Sequence, residues 1–531
     1  MIIHRNRSLP IAIFFSFFFF FLLTLTNNFS SSHDSIDYLN SLESGTELFH
    51  PHHLVYHIVT YWLFKLLHGI LPFVQNHYLI EAMSAAWGAG ILVNVFRILR
   101  NRFLLDSVTA FIGTCLPAFS FGMWFYSTNI EVYMPPLFFL TLCLYLLTKT
   151  DFTRKDLILV ICLHTLAILF HQVNIIFTPI VLWKIWTMRR TMRLLPSLLN
   201  YVLIGGGMVV FLYILIGWFV EGYNTPENFF SWIKGYTTEP KYWFPLSVKT
   251  LFNALVGLGH AFIGAHFMFK VKFIEDYINK NYFYHSLSDE TFLVQNLSYN
   301  GALVLLVLTA LIFLLMLILI GKILLNWKPI FKLQKFTIIP LLLFLVIYSC
   351  FFFFWMPENL EFWIAQSVII WLLVAGCSKY ISLPFGISNR FWLGSIAVLL
   401  FAVNYFGSIK WLGSIKNDFF HAKIQPVTSQ STTKDLILLK DGWIVKSYLK
   451  RYTTTPVKLI PKKGDDSTRQ QVDAAITRSL DAGGKIFLFT EESFMHAIKN
   501  EFYIDSLLQS HKYTTRDLPN ALTPVKVIEQ D

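Results

Sequence analysis

The sequence predicts an α-helical, polytopic membrane protein followed by a small soluble α/β domain. Three observations carry this. Hydrophobic residues make up 55% of the 531 positions and charged residues only 14%, with a mean hydropathy of +0.54; no water-soluble domain has that balance. Apolar runs close to the ~20 residues needed to cross a bilayer recur over residues 1–414, about eleven of them. From about residue 415 the composition becomes that of a soluble domain, 415–531.

The first apolar run, residues 9–26, follows His4, Arg5 and Arg7 and lacks a small-residue cleavage site before TNNFSSS. It is expected as a retained helix with its N-terminus in the cytoplasm. Residues 54–72 are expected to lie in the interface, because His57, Lys65 and His68 give that run polar positions. Spans are then expected near 78–96, 105–123, 131–148, 156–170, 173–187 and 197–220. Three basic clusters fix their direction: Arg97, Arg100 and Arg102; Lys149, Arg154 and Lys155; Lys184, Arg189, Arg190 and Arg193. By the positive-inside rule all three face the cytoplasm, so the hairpin tips between them face outward. The formal charge of +11 therefore reads as membrane orientation and not as nucleic-acid binding.

Residues 221–300 form a long external region rich in Tyr, Trp, Phe and His, with 250–269 expected as a re-entrant or interfacial element. Spans near 300–321, 336–355, 361–378 and 390–411 follow, and an odd number of crossings leaves the C-terminal domain outside. In that domain 435–439, 457–460 and 485–489 read as short buried strands, with helices after Gly442 and after Ser467 and with Gly483-Gly484 ending the second. A three-layer α/β domain is expected, without the GxGxxG or P-loop pattern of a nucleotide site. The five cysteines lie in hydrophobic runs with no CxxC pair, which argues against disulfides and thiolate zinc.

The densest chemistry lies in HDSIDYLNSLESGTELFHPHHL, beginning at His33, where two aspartates and four histidines stand between hydrophobic segments. Ionisable groups are costly beside a bilayer, and such a cluster marks a candidate site. The expected topology brings Asp34, Asp37, His50, His52, Glu131, Tyr133, His171, Gln172, Glu358 and Glu361 to the same outer side. They come from the first loop, the tips 126–136 and 170–174, and the turn 355–363.

HDSIDY followed by FHPHHLVYH resembles the first external loop of the C-type membrane glycosyltransferases (GT-C), close to their protein O-mannosyltransferase-like branch. YSTNIEVY at 126–133, LFHQVN at 169–174 and the turn WMPENLEFW are similar to further motifs of that superfamily. The resemblance covers residues 34–363, with the shared seven-span module over about 9–220. It implies transfer of a sugar, with inversion, from a polyprenyl-phosphate carrier to a glycan, lipid or protein acceptor on the extracytoplasmic face of a bacterial inner membrane. Asp34 matches the family's leading acidic position and is expected as general base; the plain structural alternative is a helix N-cap. Asp37 lies on the same helical face and would orient the acceptor or hold a metal. His50, His52 and His171 would face the leaving phosphate, with Glu131, Tyr133, Gln172 and Glu358 as further substrate contacts.

No cofactor is demanded, and a divalent cation is left open. The chain departs from the family in carrying HPHH where His-Pro-Pro is commoner, and Asp at 37 where Glu is commoner. The rings of 221–300 would cover the site or simply anchor at the membrane interface. The rival class is a lipid-linked glycan transporter, which calls for broken helices related by an internal repeat; no such repeat is visible. A ligase of whole glycans would lean on external arginines, which are few. In an endoplasmic reticulum the sequons Asn28-Phe29-Ser30 and Asn296-Leu297-Ser298 would face the lumen.

Overall fold

The computed structural model describes residues 8–281, 287–440, 442–460, 466–490 and 513–530. His4, Arg5 and Arg7 lie outside them. The chain divides into two compact units: Met1–Thr26, Ser41–Met268 and Ser298–Lys410 form one, and Asn27–Asn40, Phe269–Leu297 and Trp411–Asp531 form the other.

The first unit is helical. Ser8–Leu22 packs on Asn76–Asn101, which packs on Met134–Leu147, which in turn packs on Arg154–Phe170. Asn76–Asn101 is the central element because its small residues let neighbours approach. A Cβ on Gly88 would stand 2.2 Å from Ser127 Oγ, so only glycine fits there. By contrast Leu194–Val220, with π-helical turns over Tyr201–Gly206 and Leu215–Val220, is largely exposed, as a lipid-facing span should be.

The span expected over 105–123 is broken. Ser107–Ala118 and Phe121–Ser127 meet at 77°, following Pro117. Backbone freed at such a break must find partners inside a membrane protein. The Phe119 carbonyl accepts from Asn404 Nδ2 at 2.7 Å, and Ser120 Oγ accepts from Trp371 Nε1 at 2.7 Å.

Among the described residues six helices are long and apolar enough to cross a membrane, or seven if the bent pair is one span. The expected eleven are not reached by that measure. Ser8–Leu22 and Met134–Leu147 are shorter apolar helices, and Thr178–Thr187 has only 10 residues. The multiple apolar helices make this an integral membrane protein. Tyr56–Ile70 turns Tyr56, His57, Thr60 and Phe64 inward and Trp62, Leu66 and Ile70 outward. His57 is thus one of its buried residues. Val248–Phe262 has 15 residues, short of a straight crossing. Trp327–Phe354 kinks at Gln334, which separates a lysine-bearing first part from the apolar span expected from 336.

The second unit holds a five-stranded sheet. β1 (Leu436–Leu439), β2 (Val457–Leu459) and β3 (Ile486–Phe489) fall where the sequence reading expected strands. β4 (Tyr513–Asp517) and β5 (Val525–Gln530) were not expected. The order is β2-β1-β3-β5-β4, with β1 parallel to β2 and β3, and β5 antiparallel to β3 and β4. β1 and β3, the parallel pair at the middle of this mixed sheet, are buried on both faces. β2, expected as buried, is an edge strand with Lys458 and Leu459 exposed. Leu436, Leu438, Ile486 and Leu488 share a core with Val472, Ile476 and Leu480 of Asp466–Asp481. That helix ends at Gly483, whose φ of +69° is the left-handed cap only glycine adopts freely.

Candidate active site

The polar centre of the helical unit is built on the short 3-10 turn Pro51–His53. Pro51 starts it with a preset φ, and its carbonyl accepts from Tyr213 Oη at 2.6 Å. His50 Nδ1 accepts from the His52 backbone N–H at 3.3 Å, closing the turn. The next link is Val55 N–H to the Leu169 carbonyl at 3.2 Å. This ties the HPHH turn to the end of Arg154–Phe170, where the LFHQVN motif begins.

LFHQVN is itself rigidly held. Asn174 donates from Nδ2 to the Ala167 and His171 carbonyls at 3.3 and 2.9 Å, and its Oδ1 accepts from Tyr348 Oη at 3.0 Å. The Asn174 carbonyl meets His164 Nε2 at 2.9 Å. With its turn fixed, Gln172 Nε2 donates to His52 Nδ1, joining the two motifs directly.

Around this junction the rings crowd together. His50 stacks on His53 at 4.3 Å, His53 lies 5.0 Å from His57, and Tyr133 lies 5.5 Å from His171. Tyr133 and His171 also line a cavity of about 40 Å³ with Asn174, Tyr348, Glu361 and Phe362. Glu131 is buried, with an oxygen 3.2 Å from the Val132 N–H, and its charge acts on both Tyr56 and Tyr133. Glu361 accepts from Tyr126 Oη at 3.2 Å and from Asn359 Nδ2 at 3.2 Å.

Burial governs the electrostatics. It pushes His50 down to about 4, His52 to about 3 and His171 to about 4, so these rings are neutral at pH 7. They act as hydrogen-bond donors and acceptors, not as cations. Desolvation, followed by the Glu361 and Glu131 charges, holds the Tyr133 hydroxyl well above its ordinary range, so it too keeps its proton. His52 Nε2 and His171 Nδ1 are buried with no hydrogen-bond partner. Leaving such an atom unmet costs about 1–3 kcal/mol, and both belong to the same group of rings. The neutral N–H and O–H groups can meet a ligand's negative charge by hydrogen bonds.

Residues 55–193 match the family model described as the protein O-mannosyl-transferase TMEM260 N-terminal domain. The structure of ArnT from Cupriavidus metallidurans bound to undecaprenyl phosphate matches at TM-score 0.55 and 10% identity, covering 98% of this chain and 97% of that one. ArnT of the same organism in the apo state matches at TM-score 0.53 and 11% identity, with coverage of 98% and 97%. The chain has the GT-C fold. A search of curated proteins finds no matching sequence. The GT-C resemblance read from the first loop and the hairpin tips is borne out, and the matched 55–193 stretch contains both tip motifs, YSTNIEVY and LFHQVN.

Of the residues singled out from the sequence, the GT-C helical unit brings His50, His52, Glu131, Tyr133, His171 and Gln172 into one group. Glu358 is exposed and accepts from Asn253 Nδ2 at 3.4 Å, while its neighbour Glu361 faces Tyr126. Asp34 and Asp37 lie in the second unit, on His33–Ser44, with Asp34 in its first turn and Asp37 one turn on. There Asp34 accepts from Tyr38 Oη at 3.2 Å, beside a His33–Asp289 pair at 3.1 Å. Asp34 reaches the surface, yet the dense chain around it lifts its carboxyl above the usual range, against the pull of His33 and Tyr38. Asp37 accepts from Ser447 Oγ at 2.9 Å.

Sequence reasoning counted His53 in the cluster and read His57 as interfacial but gave neither of them, nor Tyr56, a site role, although FHPHHLVYH sets His53 and His57 at the i, i+4 spacing of one helical face. Tyr236 it placed only among the rings of 221–300 that would cover the site or anchor at the interface, with no local signal to single it out. Among the described residues no three His, Cys, Asp or Glu side chains group as a metal site.

Proposed function

We propose that this protein is a membrane glycosyltransferase that moves a sugar, with inversion, from a polyprenyl-phosphate carrier to an acceptor on the extracytoplasmic face. The observation that carries the reading is the group of neutral histidine and tyrosine donors with two buried, unmet ring nitrogens, His52 Nε2 and His171 Nδ1. It supports recognition of a phosphate whose negative charge grows as the glycosidic bond breaks. The GT-C fold adds support: ArnT, which shares it, was solved with undecaprenyl phosphate. So does the O-mannosyl-transferase description of the family model over 55–193.

In this reading His52, His171 and Tyr133 donate to the leaving phosphate. Asp34, with its raised carboxyl, takes the proton of the attacking acceptor hydroxyl, and Asp37 orients the acceptor. Glu131 and Glu361 keep the tyrosine hydroxyls aligned. The outward assignment rests on the positive-inside clusters Arg97 to Arg193, which favour a plasma membrane with the N-terminus in the cytoplasm. The sugar and the acceptor stay at the level of class.

The test uses the full chain in lipid nanodiscs with a panel of labelled polyprenyl-phosphate sugars, following release of the bare carrier. Wild type should turn over one donor. Asp34→Asn should lose turnover by about 10²–10⁴-fold while folding normally, and Glu131→Gln should weaken it less. Turnover of no donor, with a lipid-linked glycan crossing the bilayer instead, would move the assignment to a transporter.

A further inference from the structure

One element outside the predicted site residues closes over the histidines. Residues 235–244 run against 354–356 as a short two-stranded clasp. Phe244 N–H donates to the Phe354 carbonyl at 2.8 Å and Met356 N–H to the Tyr242 carbonyl at 3.1 Å. Trp243 and Trp355 form an antiparallel bridge, and Trp243 Nε1 donates to the Thr237 carbonyl at 2.8 Å. The clasp enters through Gly235, whose φ of +48° and closeness to His52, with an added Cβ 2.5 Å from Nε2, admit no other residue without displacement.

This geometry sets the Tyr236 ring 4.5 Å from His52. Trp355, only 6% exposed, lies behind it at 6.1 Å and 28°, and Tyr242 meets it edge-on at 5.2 Å. Tyr236 itself is 41% exposed. A rigidly backed ring with open area, beside the unmet Nε2 of His52, does not resemble a loose interfacial anchor. Interfacial aromatics sit in the headgroup layer and need no such fixation.

We propose that Tyr236, backed by Trp355 and held by the 235–244 clasp, is the platform on which the pyranose ring of the lipid-linked donor packs. A pyranose presents C–H groups on one face and hydroxyls at its rim. The C–H face fits the electron-rich face of an aromatic ring, and the rim suits the surrounding imidazoles and tyrosine hydroxyls. A prenyl chain would gain nothing from those polar neighbours. The short step from the His52 ring to the Tyr236 ring matches a phosphate joined through one oxygen to the sugar it carries. This assignment rests on the proposed transferase reading and adds to it the residue that distinguishes loaded carrier from empty carrier.

The experiment is equilibrium binding to the full chain in nanodiscs, with tritiated undecaprenyl phosphate and its mannosyl, glucosyl and galactosyl derivatives as probes. Wild type should bind one glycosylated carrier more tightly than the bare carrier. Tyr236→Ala should weaken that carrier about 2- to 10-fold and leave the bare carrier unchanged, and Tyr236→Phe should behave as wild type. Equal weakening of loaded and bare carrier, or no weakening of either, overturns the platform. Bare carrier bound with no preference for any sugar also overturns it, while leaving the carrier reading intact. Binding of no probe by wild type overturns the transferase reading itself.

Discussion

Gln172 donates its amide N–H to His52 Nδ1, and that one bond decides where the imidazole proton sits. With Nδ1 accepting, the neutral ring must carry its hydrogen on Nε2. Nε2 is also the buried atom without a partner, so the bond presents a donor where the leaving phosphate is proposed to lie.

Gln172→Leu removes this selection without adding charge. The ring then samples both tautomers, and the expected loss is about tenfold in kcat/KM, the worth of one hydrogen bond to a charged group. Gln172→Glu, whose carboxylate can only accept, would hold the hydrogen on Nδ1 and should cost at least as much. Steady-state kinetics of carrier release checks both variants; equal activity in all three proteins would remove the tautomer argument.

The histidines also make stability depend on pH. An unfolded histidine titrates near 6.5, whereas burial holds His50 at about 4, His52 at about 3 and His171 at about 4. Between these values the unfolded chain binds more protons than the folded one. The stability involved is therefore complete above pH 6.5 and is lost as the pH falls from there through about 4 for His50 and His171 and about 3 for His52. Thermal denaturation in nanodiscs should show Tm dropping across that window, with a shallower drop when His50, His52 and His171 are all replaced by Gln. An unchanged slope in the triple variant would clear these residues.

Gly235→Ala should be costly beyond its size. The backbone there has φ +48° and ψ −132°, and strain of this kind costs about 1–3 kcal/mol. The new methyl also presses on His52. A lower Tm together with weakened turnover is expected; a variant with wild-type Tm and turnover would mean the clasp relaxes freely.

In the second unit Asp418 is a fully buried carboxylate that accepts from four donors. They are the Phe29 N–H at 2.8 Å, Ser30 Oγ at 2.5 Å, the His421 N–H at 2.9 Å and Tyr448 Oη at 2.7 Å. Asp418→Ala leaves the Phe29 and His421 N–H groups unmet, with only a 3.4 Å contact between Ser30 Oγ and Tyr448 Oη to serve the two hydroxyls, and a loss of about 3 kcal/mol is expected. Hydrogen exchange should then rise through residues 411–460. Protection equal to wild type would show that the donors find other partners.

Much of this architecture was legible because helices and turns are local. The apolar runs marked the helices, Gly483 marked a cap, and the HPHH and HQVN motifs marked two halves of one site. What was hidden depends on distance along the chain. Nothing near Tyr236 announces that a clasp will carry it to His52. Glu358 and Glu361 look alike in WMPENLEFW, and only packing turns Glu361 towards Tyr126. The break after Pro117 could not be told from a straight span, because the Asn404 that satisfies it lies far downstream. β2 was taken as buried because an edge strand and a central strand of three residues carry the same short apolar signature.

The bonds from Phe29 and Ser30 to Asp418 join positions 389 and 388 residues apart. On the ribosome, the helix bearing Asp34 therefore emerges long before the partners that hold its leading segment exist. These contacts are non-local and can form only after Asp418 has been made. A chain that stalls before Asp418 would have its hairpins inserted and its first loop unanchored. Such a product would lack the carboxylate that the Phe29 N–H and Ser30 Oγ meet in the full chain.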